Sequence, residues 1–411
     1  MKKVIMPLVF TFFCALWYVS PSLAGGFLVF DHDPAASGMS NAYTAQADRP
    51  SAVLFNPAGI NQIEGTAAAA YITTILPRST FKNSTTGNET ATKQATFVLP
   101  NFFITHKITD KFSAGFGFFN LFGLAIDWPE NWEGRYITTY SELKTLYMNP
   151  VVSWQVHPRL SIAAGYNYVF SQAKMQNAIN PADLGFPGVP DAKSTIKGDA
   201  SGHGFNLGLL YHITDTINFG FSYRSKVELN YKGNVRVGNL PAGLPPTMLD
   251  SNGSFKMTLP SLLGTGLAVK PFEKWLFEFD FYWLNWSVYK RLAIDFENPL
   301  TPDQSFPKEW HDSYTYALGV KYQATKSLVL RAGYMYDTAA VPERTLDPIM
   351  PDANSHIIAI GAGYQYKGWN LDAGYRAILY ETRSTNSNIR GFNGSYGSTY
   401  HIITIGLHYI F

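Results

Sequence analysis

The chain has 411 residues, 46% of them hydrophobic and 15% charged, which excludes a disordered polymer and supplies material for a large ordered body. Its 63 aromatic residues slightly outnumber its 62 charged ones, an uncharged and aromatic balance next to the roughly 25% charge of soluble proteins. No stretch beyond the first twenty residues is apolar for the ~18 residues that a membrane helix needs, so a helical membrane protein is excluded for the body of the chain.

Lys2 and Lys3 precede an apolar run from Val4 to Val19, and Ser22, Leu23 and Ala24 offer small residues at a cleavage site. Residues 1–24 are therefore expected to be a secretory signal peptide. The single cysteine, Cys14, would leave with it. An anchor helix is disfavoured by Ser20, Pro21 and Ser22, which follow the run without a basic flank. Without the two lysines the formal charge of +2 falls to zero, so no nucleic-acid partner is expected. A cysteine-free exported chain must draw its stability from packing and backbone hydrogen bonds.

Residues 25–64 lack sustained alternation and are rich in small residues, Asp and Pro. Such a segment is too small for its own core, so it is expected to lie inside the rest of the protein as a plug, or hatch.

From residue 65 to residue 411 the dominant signal is period-two alternation. Ile217, Phe219, Phe221 and Tyr223 alternate with Asn218, Gly220, Ser222 and Arg224, and Phe277, Phe279, Phe281 and Trp283 with Glu278, Asp280 and Tyr282. Tyr314 to Tyr322, Leu328 to Tyr336, Ile358 to Tyr366 and Ile403 to Phe411 repeat the pattern. The connections alternate too. Short links near Lys107 to Asp110, His157 to Arg159, His212 to Asp215, Lys270 to Lys274, Gln323 to Lys326 and Lys367 to Gly368 are separated by long polar or Pro/Gly-rich ones, such as Gly123 to Tyr140, Gln176 to Gly198, Gly233 to Gly253 and Ala293 to Trp310. Hydrocarbon offers backbone groups no partner, so strands cross it only as a closed ladder. The pattern predicts an all-β fold, a transmembrane antiparallel β-barrel of about 14 strands with short turns at one end and long loops at the other. Tyr334 and Tyr336, Tyr364 and Tyr366, and Tyr409 and Phe411 suit interfacial girdles. A soluble sandwich or propeller would have to hide all these aromatic faces.

Catalytic and cofactor signatures are absent from the sequence. There is no Gly-x-Ser-x-Gly elbow, and the nine histidines are scattered without metal-site spacing. Gly115 and Gly117, or Gly361 and Gly363, lack the rest of a phosphate loop and fit close backbone approach instead. No enzyme activity, metal or cofactor is expected.

Several motifs together resemble the FadL family of outer-membrane transporters for long-chain fatty acids and other hydrophobic compounds. They are Gly25, Gly26 and Phe27; Ser37, Gly38, Asn41, Ala42 and Tyr43; Asn56, Pro57, Ala58 and Gly59; Phe122 to Ala125; Trp132, Gly134, Arg135 and Tyr136; Asn149 and Pro150; Trp283 to Phe296; and Tyr336, Asp337, Val341, Pro342, Pro348, Pro351 and Asp352. Leu121 stands where the family often has Pro before its Phe-Gly pair, and Asn354 and Ser355 stand where an Arg is common.

The resemblance implies outer-loop capture, an inner apolar pocket, and lateral release into the bilayer through an opening at a kinked third strand, here around Asn120 to Gly123. Asn56, Pro57 and Ala58 correspond to the hatch motif, with Asp352 as its candidate partner. Phe27 is the family-matched residue at the mobile N-terminus. Candidate capture residues are Leu184, Phe186 and Val189 in one long loop and Leu240, Leu244, Met248 and Leu249 in another, which either bind ligand or pack to order the loops. Arg135, Arg224, Arg331 or Arg376 could meet a carboxylate, unless lumen acids such as Glu278, Asp280 or Asp372 balance them.

The sequence thus reads as a passive importer of long-chain fatty acids in the outer membrane of a Gram-negative bacterium. Its expected partners are outer-membrane lipid, lipopolysaccharide and the barrel assembly machinery, and it is expected to be a monomer. The alternatives are uptake of monoaromatic or alkane hydrocarbons, a surface adhesin or receptor barrel, and, last, a rim enzyme.

Overall fold

The computed structural model describes residues 25–240, 244–245 and 247–411, so the expected signal peptide with Cys14 lies outside the described residues, as does the side chain of Leu184. The alternation decides the architecture. Phe277 and Phe279 are 40% and 50% exposed while Glu278 and Asp280, one residue on, are buried. The apolar face points outward and the polar face inward, the reverse of a sheet that folds in water.

Fourteen wall strands result. They are β1 (Thr66–Asn83), β2 (Phe97–Lys107), β3 (Phe112–Phe119, resuming at Gly123–Asp127), β4 (Tyr140–His157), β5 (Leu160–Ile179), β6 (Ala192–His212) and β7 (Ile217–Arg224, Val227–Gly238). The circuit continues with β8 (Ser251–Leu259, Leu262–Phe272), β9 (Trp275–Leu284, Arg291–Phe296), β10 (Gln304–Pro307, Ser313–Gln323), β11 (Leu328–Asp337), β12 (Ser355–Tyr366), β13 (Trp369–Tyr380) and β14 (Gly394–Ile410). Each pairs antiparallel with its neighbours, and β1 closes on β14 from Ala67↔Ile410 to Asn83↔Gly394. Closure removes the sheet edges that lipid could not satisfy.

The ladders run further than the apolar alternation does. Gly123–Asp127, residues 293–296 and Gln304–Pro307, which the sequence assigns to long links, are strand, and Gln176 to Ile179 pair with Ala192 to Thr195. These segments lack a lipid-facing stripe, so periodicity misses them while their backbone hydrogen bonds continue unchanged.

Residues 25–64 pack against the inward faces of the wall. The segment contains two short helices, α1 (Pro34–Ser37) and α2 (Ala52–Phe55), and a 3-10 turn (Pro57–Gln62). Asp33 caps α1, its Oδ1 accepting from the Ala35 N–H at 2.6 Å, with Pro34 at the first helical position. Asn56 caps the turn through Oδ1 and the Ala58 N–H, 3.2 Å apart. Contact with the wall is close enough to demand glycine, since a Cβ on Gly361 would stand 2.9 Å from the Cα of Gly38, and one on Gly208 would stand 2.6 Å from Asn56 Oδ1.

Irregular backbone inside a barrel needs acceptors for its N–H groups. Asp280 Oδ2 accepts from the N–H groups of Tyr43 and Thr44, each at 2.8 Å, and Glu278 Oε1 from that of Ala45 at 2.6 Å. Glu278 and Asp280 therefore serve the backbone of the inner segment. They do not neutralise any of the arginines for which the sequence proposes them.

Candidate functional site

The ladder between β2 and β3 is interrupted. β2 pairs with β3 only from Phe102↔Phe118 to Lys107↔Ser113, while Gly123–Asp127 pairs with β4 alone. Above Phe102 the seam between β2 and β3 carries no ladder until the Lys93 N–H reaches the Asp127 carbonyl at 2.8 Å. The cause is the break in β3 at Asn120, Leu121 and Phe122. Opposite them on β4, Thr145 stitches the gap. Its Oγ1 accepts from the Phe122 N–H at 3.0 Å and donates to the Phe122 carbonyl at 2.6 Å, and its own carbonyl accepts from Asn120 Nδ2 at 2.6 Å.

The inner segment backs this break. The Gly123 N–H donates to the Phe27 carbonyl and the Val29 N–H to the Leu121 carbonyl, both at 2.8 Å, and Leu28 bridges Phe122. Residues 27–29 thus lie as a short rung along the interrupted strand. Phe27 is buried in rings: Trp286 at 4.5 Å between centroids, Trp310 at 5.8 Å, Phe122 at 6.0 Å and Tyr289 at 6.4 Å. Trp286 Nε1 donates to the Gly25 carbonyl at 2.6 Å. Gly26 has φ +75°, and a Cβ there would stand 2.5 Å from the Trp286 ring, so only glycine fits.

The sequence-derived candidates fall into three groups. Phe27, Asn120 and Gly123 meet at the break. Asn56 lies elsewhere, its Nδ2 donating to the Thr44 carbonyl at 2.9 Å and the Leu209 carbonyl at 3.0 Å, with buried Pro57 and Ala58 following it. Asp352 is not the partner of that motif. Its Oδ2 accepts from the N–H groups of Ala340 at 2.6 Å and Val341 at 3.0 Å, and the Gly26 N–H lies close by. The 338–354 loop turns back on itself and holds Asp352 over the start of the inner segment. Burial pushes its carboxyl up to about 6 against the pull of these donors.

The loop residues are less exposed than a capture surface would require. Phe186, Val189, Leu244 and Met248 are half-buried, and Leu240 and Leu249 pack against the core. Asn298 and Thr301 tie down the carbonyls of Met248 and Leu249, each at 2.9 Å.

Three of the four candidate arginines are neutralised. Arg135 meets Asp191 at 2.6 Å, Arg331 meets Asp372 at 2.8 Å, and Arg376 meets Asp31 at 2.8 Å. Asp31 and the aromatic cage of Trp310 and Tyr289 escaped sequence reasoning because nothing local links them to their partners. Among the described residues no group of His, Cys, Asp and Glu is placed to hold a metal.

A family model described as outer membrane protein transport protein (OMPP1/FadL/TodX) matches residues 16–411. A long-chain fatty acid transport protein of Escherichia coli is 25% identical over 370 residues, covering 80% of this chain and 82% of that protein. Another, of Salmonella typhi, is 23% identical over 369 residues, covering 82% and 84%. The fold is similar to that of a FadL homologue from Pseudomonas aeruginosa, with TM-score 0.82, 21% identity and coverage of 94% of this chain and 100% of that one. It is also similar to that of the toluene transporter TodX of P. putida, with TM-score 0.76, 19% identity and coverage of 92% and 99%.

Proposed function

The chain belongs to the outer membrane protein transport protein family (OMPP1/FadL/TodX), whose members are outer-membrane transporters of hydrophobic compounds and not enzymes, and from that premise we propose that it takes up long-chain fatty acids without an energy source. Ligand enters among the long loops, reaches the aromatic cage around Phe27, displaces residues 27–29 and leaves sideways between β2 and β3. The observation that carries this route is the unpaired seam between those strands, backed by two backbone hydrogen bonds, the His32 contact with the Asn120 carbonyl and the rings around Phe27. A lateral exit suits an acyl chain, which gains about 0.8 kcal/mol per CH₂ in hydrocarbon, whereas a soluble sugar would gain nothing. The fatty acid transport proteins among the relatives support the acid as ligand.

Oleate uptake by the purified barrel in liposomes tests the route. Uptake should saturate, and Phe27→Ala should lower the half-saturating concentration roughly tenfold, because the ligand no longer has to displace a ring from its aromatic contacts. Unchanged uptake in Phe27→Ala, or no oleate uptake at all, refutes it. The four rings around Phe27 favour a second reading, monoaromatic hydrocarbons, which toluene uptake without oleate uptake would establish.

A further inference from the structure

We propose that Arg224, with His32 beside it, is a binding station for the carboxylate of the transported ligand, set deeper than the Phe27 cage. The station presupposes the acid ligand proposed above.

Arg224 differs from the other buried arginines. It is 4% exposed, yet no carboxylate of the described residues pairs with it. Its Nη1 donates to Asn167 Oδ1 and, at 3.3 Å, to Asn149 Oδ1; its Nη2 donates to Asn149 Oδ1 and the Leu54 carbonyl, both at 3.3 Å. Its guanidinium lies 5.4 Å from the ring of Phe119 and 5.8 Å from that of Tyr147. Every one of these partners is neutral. They orient the cation without cancelling it, and a buried cation in neutral surroundings draws an anion strongly.

A small cavity of about 20 Å³ opens beside it, lined by Arg224, His32 and the apolar side chains of Phe30, Leu54, Leu121 and Leu262. Its size is about that of one water, so a carboxylate enters it as the inner segment shifts. His32 is buried, and its Nε2 is 2.9 Å from the Asn120 carbonyl, while its Nδ1 has no hydrogen-bond partner. Burial holds its pKa down, so the ring stays neutral and adds a polar wall without a second charge. Asn120 and Leu121 belong to the break in β3. A carboxylate on the Arg224 fork therefore leaves the first methylenes of its chain against the broken strand, beside the seam. A hydrocarbon without a headgroup gains nothing from Arg224, so this residue separates acids from hydrocarbons within one apolar route.

The test compares oleate with oleyl alcohol, which has the same chain and an uncharged headgroup, for binding to the full barrel in detergent. Arg224→Gln should weaken oleate at least about tenfold, as loss of a charge-assisted hydrogen bond does, and leave oleyl alcohol within about twofold. Arg224→Lys, which keeps the charge, should recover most of the difference. Equal losses for both ligands would mean that Arg224 only supports the Asn149 and Asn167 network, and unchanged oleate affinity would mean that the headgroup binds elsewhere; either overturns the station. Should the variants fail to fold, the wild-type barrel decides. Oleate labelled with carbon-13 at its carboxyl should stay ionised when bound at about pH 5 beside a guanidinium, and a protonated carboxyl at neutral pH overturns the proposal. A wild-type barrel that binds neither ligand overturns the fatty-acid reading and the station with it, whereas equal oleate and alcohol binding that ignores Arg224→Gln overturns the station alone.

Discussion

The inner segment meets the wall in two different ways. Toward β9 and β13 it is bolted by charge: Asp31 to Arg376, Arg49 to Asp372, and the backbone of residues 43–46 to Glu278 and Asp280. Toward β3 it is held by two backbone hydrogen bonds, by His32 Nε2 on the Asn120 carbonyl and by rings. Buried ion pairs cannot part without leaving an unpaired charge in a poor solvent. Aromatic contacts are interchangeable, and an apolar ligand can replace them one for one. A segment built this way can release at one side while the other stays fixed.

Breaking the bolted side should have the largest effect. Arg376→Ala strands Asp31, which is buried, and is expected to cost about 3–5 kcal/mol in thermal or urea unfolding of the barrel in detergent. Arg376→Leu combined with Asp31→Asn should recover part of that loss, and a single variant as stable as wild type would show that the pair is not the bolt.

The other side is sharpened by pH. Asp352, over the start of the inner segment, has a carboxyl raised to about 6. A raised carboxyl means that the folded protein holds a proton the unfolded chain has released, so stability should rise as pH falls from about 7 to about 4, by up to about 3 kcal/mol. Asp352→Asn keeps an acceptor for the Ala340 and Val341 N–H groups and removes the charge. It should stabilise the N-terminal residues at pH 7 and flatten this dependence, read by hydrogen exchange at residues 26–29; an unaltered pH profile would exclude Asp352 as its origin.

A smaller effect is expected between the two sides. Asn56→Ala removes hydrogen bonds to the Thr44 and Leu209 carbonyls and the cap on Ala58, a loss of about 1–2 kcal/mol. Exchange should quicken around residues 44–60 and stay unchanged at 27–29, and equal quickening in both stretches would mean that the segment moves as one piece.

The barrel was legible in the sequence because lipid imposes a simple local rule. Phe277, Phe279, Tyr316 and Leu318 must face out, their neighbours must face in, and a period of two follows whatever the strand touches. The break in β3 was legible only by resemblance, since nothing in Asn120, Leu121 and Phe122 by themselves forbids a continuous ladder. The partners of the arginines were not legible at all. Arg331, Arg376 and Arg224 occupy similar inward positions on strands, and their difference lies in Asp372 two strands away, in Asp31 of a segment without periodicity, and in Asn149 and Asn167 on β4 and β5.

Strand count, closure and the direction of the apolar face were thus determined by the sequence alone, because alternation and turn length act between residues close in the chain. The open seam, the fastening of residues 27–29 behind it and the isolation of Arg224 were decided by tertiary structure, because each depends on groups in different strands or segments whose meeting no local pattern encodes.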